Sequence, residues 1–186
     1  MVAHARARSV YEQLLALPEH LVGEVIRGVL HTQPRPAARH ARAATRLGTA
    51  LGPFDSDAPT GPSGWIILVE PELHLGPDIL VPDLAGWRRT RMPELPDVAA
   101  FELAPDWVCE VVSPSTAAHD RAEKLPLYAA AAVAHCWLVD PIVKTLEVLR
   151  LEAGRWVLIA AHRDDARVHA EPFDAIELEL GSLWAD

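Results

Sequence analysis

The sequence predicts an α/β fold, a mixed β-sheet with helices packed on it. Three observations carry this. Residues 106–113 (DWVCEVVS) and 134–140 (AHCWLVD) are dense in apolar side chains, as strands buried on both faces are. A helical stretch, 119–132, lies between them. Such a strand–helix–strand unit makes a parallel pair through a right-handed crossover. A run of further strand-like segments follows towards the C-terminus.

The elements follow in chain order. Residues 9–16 (SVYEQLLA) predict a short helix with Ser9 as N-cap, ended by Pro18. Residues 23–31 alternate and predict a strand with a turn at Gly28. Pro34 and Pro36 interrupt the chain. Residues 37–51 (AARHARAATRLGTAL) are rich in strong helix formers and predict a helix. The Gly-, Pro- and Asp-rich stretch 52–64 is a loop. Strands are expected at 65–75, bent at Pro71, and at 79–87. Residues 88–105 hold three prolines and no clean period; a loop of that length is often functional. The helix at 119–132 contains Pro126, which must kink it or stand in its first turn. Strands at 144–151, 155–161 and 173–180 complete the reading.

Composition narrows the function. The 186 residues are 50% hydrophobic, enough for one core and few for two, so 1–186 is read as one domain. No apolar run reaches about 18 residues, so no transmembrane helix is expected. The N-terminus, MVAHARARSVYEQLL, lacks an apolar h-region and is not read as a signal peptide. Cys109 and Cys136 lie in strand-like contexts and are expected as buried free thiols of a cytoplasmic protein. The net charge of −9 means that any nucleic-acid-binding basic patch must be local.

Two carboxylates stand out. Glu110 sits inside WVCEVV and, by strand alternation, shares a face with Val108 and Val112. Asp83 sits inside ILVPDLAGW, after a proline that marks an edge or a bulge. A buried, ionised carboxylate is costly unless it is paired, protonated, metal-bound or near water. A pair from two apolar strands suits a hard cation such as Mg²⁺ or Mn²⁺. Hydrogen bonding to nearby loop backbone is the structural alternative.

The segments LVGEVIRGVLH, RPAARHA, EPELHL, ILVPDLAGWRR, DWVCEVVSPST, HDRAEKLPLYA, WLVDP and LEVLR follow one another as they do in the Uma2 family, which the chain resembles from about residue 18 onward. That family is placed in the PD-(D/E)xK nuclease superfamily. The resemblance implies a restriction-endonuclease-like fold and a Mg²⁺- or Mn²⁺-dependent endonuclease acting on DNA. It implies Asp83 and Glu110 as metal ligands, with the carbonyl of Val111 as a third. Pro77-Asp78 is a second PD dipeptide, but VPDLAGW has the family's form. The superfamily's lysine two residues past the acid is here Val112. The family form carries a lysine further on, at Lys124, implied as catalytic; a surface pair with Asp120 is its alternative reading. Glu24 is implied in the active site, with a pair to Arg27 as the alternative. His40 matches a family position, and a site role stands beside packing or capping. Glu70 and Glu72 are read as salt-bridge partners.

Arg35, Arg39, Arg42 and Arg46 form a stripe that is either a phosphate contact or a solvated face. Arg88, Arg89 and Arg91 open the long loop beside Asp83. Trp87 is read as core rather than a base-stacking platform. Ser113 and Ser115 form a turn, and no nucleophile elbow is present. The histidines show no zinc spacing. Restriction-type folds are often homodimers, and the β-rich C-terminal half is the expected interface. A nuclease-fold protein that binds nucleic acid or protein without cutting is the alternative function, favoured by Val112 and the acidic charge.

Overall fold

The computed structural model describes residues 9–56 and 61–185. The extreme N-terminus read against a signal peptide, and residues 57–60 of the first loop, lie outside them. Six strands form the main sheet in the order β10-β9-β8-β7-β6-β3: β3 (Trp65–Val69), β6 (Leu84–Arg88), β7 (Trp107–Val111), β8 (His135–Asp140), β9 (Thr145–Glu152) and β10 (Arg155–Arg163). Only β7 and β8 run parallel; the other neighbours are antiparallel. The sheet is therefore mixed, and β7–helix–β8 is the expected crossover unit.

A smaller antiparallel sheet, β2-β1-β5-β4, contains β1 (Leu21–Ile26), β2 (Val29–Pro34), β4 (Leu73–Leu75) and β5 (Asp78–Leu80). The strand expected at 23–31 is thus a hairpin. Arg27 and Gly28 both take positive φ, 51° and 78°, the conformation a two-residue hairpin loop requires. Asp78 Oδ1 accepts from the Arg27 N–H and holds that turn, which gives the second PD dipeptide a structural use.

Three expected strands are corrected. The one at 65–75 divides into β3 and β4, which belong to different sheets, because Glu70 takes a positive φ of 48° before Pro71. The one at 79–87 divides into β5 and β6 for the reason Pro82 suggests, since proline cannot donate to a ladder. Asp83 therefore stands just before β6, not inside a strand. Of 173–180 only Leu178–Glu179 is extended, as β12 paired with β11 (Arg167–Val168); a 3-10 turn follows.

Both faces of β7 are covered. Trp107, Cys109 and Val111 face helix α2 (Ala38–Leu51) and the C-terminal segment, where Phe173 meets Phe54, Trp65, Trp107 and Trp137 at centroid distances of 4.8–5.6 Å. Val108 and Val112 face Ile26, Leu80, Tyr128 and Leu138. Each such fully buried side chain contributes about 1.5–3 kcal/mol. Helix α1 (Val10–Leu15) packs on the small sheet through Leu14. Ser9 and Glu12 close a reciprocal capping box at its start. A Cβ at Gly23 would stand 2.3–2.4 Å from Leu17 and Leu14, so α1 approaches β1 only over a glycine.

The helix expected at 119–132 is interrupted. Ala117–His119 (α3) leads into a π-helical turn, Asp120–Lys124, and then α4 (Leu125–Ala130) with Pro126 in its first turn. Proline has no N–H for the preceding turn, and the wider turn absorbs the mismatch. Asp120 and Lys124 consequently point inward. Cys109 and Cys136 are buried free thiols, and burial pushes both well up. Among the described residues no helix is long and apolar enough to cross a membrane.

Candidate active site

The β6–β7 ladder places Leu84 opposite Cys109 and Ala85 opposite Val108. One step further along the same register brings Asp83 beside Glu110. Asp83 lies on the face of Ala85 and Trp87 by alternation, and Glu110 on the face of Val108. Backbone contact agrees: Asp83 Oδ2 accepts from the Val111 N–H at 2.7 Å. Both carboxylates, with Val111 and Asp120, line one cleft of about 580 Å³ at this end of the sheet. Asp83 Oδ1 meets His40 Nε2 at 2.6 Å. His40, near the start of α2, therefore touches the site, as its place in the sequence suggested.

Lys124 is not on the surface. It is 1% exposed, and the surface pair with Asp120 is not formed. Its ammonium stands 2.8 Å from Glu110 Oε1 and 2.9 Å from Glu24 Oε1, and donates to the Val81 carbonyl at 3.1 Å. All three of its donors are used. Burial pulls Lys124 down, but Glu110, Glu24 and Asp120 outweigh it and raise its pKa. Glu24 also accepts from the Val81 N–H and meets His119 Nε2 at 3.3 Å. It does not pair with Arg27, which reaches Glu123 instead.

Glu110 is pushed towards its neutral form. Burial raises its carboxyl well above the ordinary range, Lys124 opposes that, and Asp120, Asp83 and Glu24 raise it further. Its Oε1 accepts from the Tyr128 hydroxyl at 2.6 Å as well as from Lys124. No described residue hydrogen-bonds its Oε2. Tyr128 and His119 were missed by the sequence reading. Tyr128 lies four residues after Lys124, a spacing that puts two side chains on one helical face, and that signal was available.

The other expected residues separate. Trp87 is core, its indole N–H held by the Leu103 carbonyl. Glu70 pairs with Arg35 at 3.4 Å and Glu72 with His74 at 2.7 Å. Arg35 thereby leaves the stripe, and Arg46 is half-buried. Arg88 lies over the Trp65 ring at 4.5 Å and Arg91 pairs with Asp106. Ser113 and Ser115 bond each other in the turn after β7.

One pH dependence follows. Burial pushes the Glu24 carboxyl up, but Lys124, His119 and the Val81 N–H together bring it down to about 2. A depressed carboxyl stabilises the fold above its unfolded value and loses that contribution as pH falls through the folded one. The stability difference between the wild type and Glu24→Gln is therefore expected to shrink between about pH 4.5 and 2, by about 3 kcal/mol. Urea unfolding at stepped pH measures it.

A family model, Uma2, described as "Putative restriction endonuclease", matches residues 11–181. Among solved structures, one from Anabaena variabilis, titled a "putative nuclease belonging to DUF820", superposes with a TM-score of 0.72. It is 20% identical, with 96% of this chain and 98% of that one covered. At that identity the likeness establishes the fold. No curated protein matches the chain. With a match over nearly its whole length, the chain belongs to the Uma2 family.

Proposed function

We propose that this chain is a metal-dependent endonuclease that hydrolyses DNA phosphodiester bonds. The observation that supports it is the meeting of Asp83 and Glu110, from adjacent chain segments, on one cleft beside Val111. The donor set fits a hard divalent cation such as Mg²⁺ or Mn²⁺. It is all oxygen, and Glu110 Oε2 is uncommitted. Glu24, Glu110 and Asp120 act on the buried ammonium of Lys124 and Asp83 acts on Glu110, so carboxylates outnumber this one buried cation. Among the described residues no three His, Cys, Asp or Glu side chains are grouped to hold a metal. Two carboxylates and the Val111 carbonyl with water completing the shell is the way Mg²⁺ is commonly held.

A cation bound there supplies a Lewis acid and lowers the pKa of bound water. The protein's own residues do the rest. His40 fixes Asp83, while Tyr128 and Lys124 fix Glu110. Lys124 and its two glutamates form a rigid unit beneath the cleft. The Lys124 ammonium, with all three protons committed, acts by holding Glu110 in place. Val112 is buried and apolar, so the lysine from the following helix takes the place its strand position leaves.

The test is nicking of supercoiled plasmid with Mg²⁺, with Mn²⁺, and with chelator. Nicking in the metal arms alone is expected. Cleavage undiminished by chelator would contradict metal dependence, and no cleavage in any arm would contradict the nuclease reading.

A further inference from the structure

Beside the acidic cleft lies a second groove of about 540 Å³, between the start of α2 and the turn joining β8 to β9. Arg39, Arg42 and Lys144 supply its charge, and Ile142 and Trp184 its apolar wall. No acidic residue lines it among the described residues. None of its three cations makes an ion pair with a described residue, although acids outnumber Lys and Arg by 26 to 17 in this chain. The two arginines stand three apart on α2, on one face of the helix. Ile142 lines both the groove and the acidic cleft, so the two adjoin. His40, which holds Asp83, directly follows Arg39. Trp184, whose indole N–H donates to the Asp164 carbonyl, packs partly on the core and also lines the groove.

Three cations with no ion-pair partner among the described residues, beside an aromatic wall, match the chemistry of a polyanion with flat bases. We propose that this groove binds a nucleic-acid strand running out of the acidic cleft. Arg39, Arg42 and Lys144 contact its phosphates, and Trp184 offers its ring to a base. The inference rests on the nuclease reading and locates where that substrate lies. It selects two arginines of the α2 stripe and adds a lysine that no spacing in the sequence joins to them.

The experiment is fluorescence anisotropy of labelled single-stranded and duplex DNA and single-stranded RNA, in chelator so that nothing is cut. Wild type is compared with Arg39→Glu/Arg42→Glu/Lys144→Asn. Asparagine is chosen because position 144 has a φ of 56°, which asparagine tolerates. A circular dichroism melt checks that the variant folds. The variant is expected to bind at least about tenfold more weakly, and the slope of log affinity against log salt to fall by about 2. Arg155→Glu, at the far end of β10, should leave both unchanged. Equal affinity and slope in wild type and groove variant would overturn the proposal, as would binding of poly-glutamate as tight as that of the oligonucleotide. Asp83→Asn separates the two readings: it should retain groove binding while cleavage is lost. Groove binding without any wild-type cleavage would leave this inference standing and the nuclease reading contradicted.

Discussion

Lys124→Met is expected to destabilise the fold by about 3–5 kcal/mol, the range for removing one partner of a buried ion pair. The Lys124 ammonium is enclosed by Glu24, Glu110 and the Val81 carbonyl. Methionine is unbranched, apolar and only one atom shorter, so most of the packing is kept and charge is what chiefly changes. Two carboxylates then face each other with no cation between them, and the Val81 carbonyl loses a donor. Glu110 has the easier escape, because burial already pushes it towards the protonated form. Glu24 does not, being held low in large part by Lys124 itself. The double variant Glu24→Gln/Lys124→Met should therefore recover part of the loss, as residues in one network couple. Urea unfolding of the three proteins measures both terms. A Lys124→Met protein within about 1 kcal/mol of wild type would mean that the network is not a source of stability.

Glu110→Gln is expected to lower metal-dependent cleavage at least about 100-fold, a cost that even residues supporting a metal's ligands can carry. The substitution keeps the shape. A glutamine carbonyl still accepts from Tyr128 and Lys124, so the fold should hold, and loss of a buried like charge beside Asp83, Asp120 and Glu24 offsets part of what Lys124 loses. What disappears is the charged oxygen facing the cleft. Single-turnover cleavage with increasing Mg²⁺ separates the causes. A loss that high Mg²⁺ restores is a binding defect, whereas one that persists at saturation lies in the reaction itself. Wild-type rates in Glu110→Gln would remove this carboxylate from the chemistry.

Much of this was legible in the sequence, for reasons that differ by residue. The β7 strand and the orientation of Glu110 follow from alternation, which depends only on backbone geometry. The helix at α2 follows from composition. Asp83 lies next to Glu110, yet its position before β6 rather than within a strand is not visible in the sequence, because Pro82 ends one sheet's strand and begins a link to another. The divided strand at Pro71 failed in the same way: local patterning does not say which sheet a strand joins. Lys124 was noticed but not its depth. That depends on the π turn at Asp120–Lys124, which turns it inward and which no local propensity specifies. Tyr128 lies in the segment KLPLYA with no pattern that marks its hydroxyl, because the hydroxyl's partner, Glu110, comes from strand β7. The groove of Arg39, Arg42 and Lys144 joins residues about a hundred positions apart, and only the tertiary fold puts them together.

The most direct test is anomalous diffraction from crystals soaked in Mn²⁺. The account predicts one manganese peak in the cleft, bound by Asp83, Glu110 and the Val111 carbonyl, and no such peak in Glu110→Gln crystals. A cleft that stays empty at high Mn²⁺, with both carboxylates keeping only their protein partners, would contradict it.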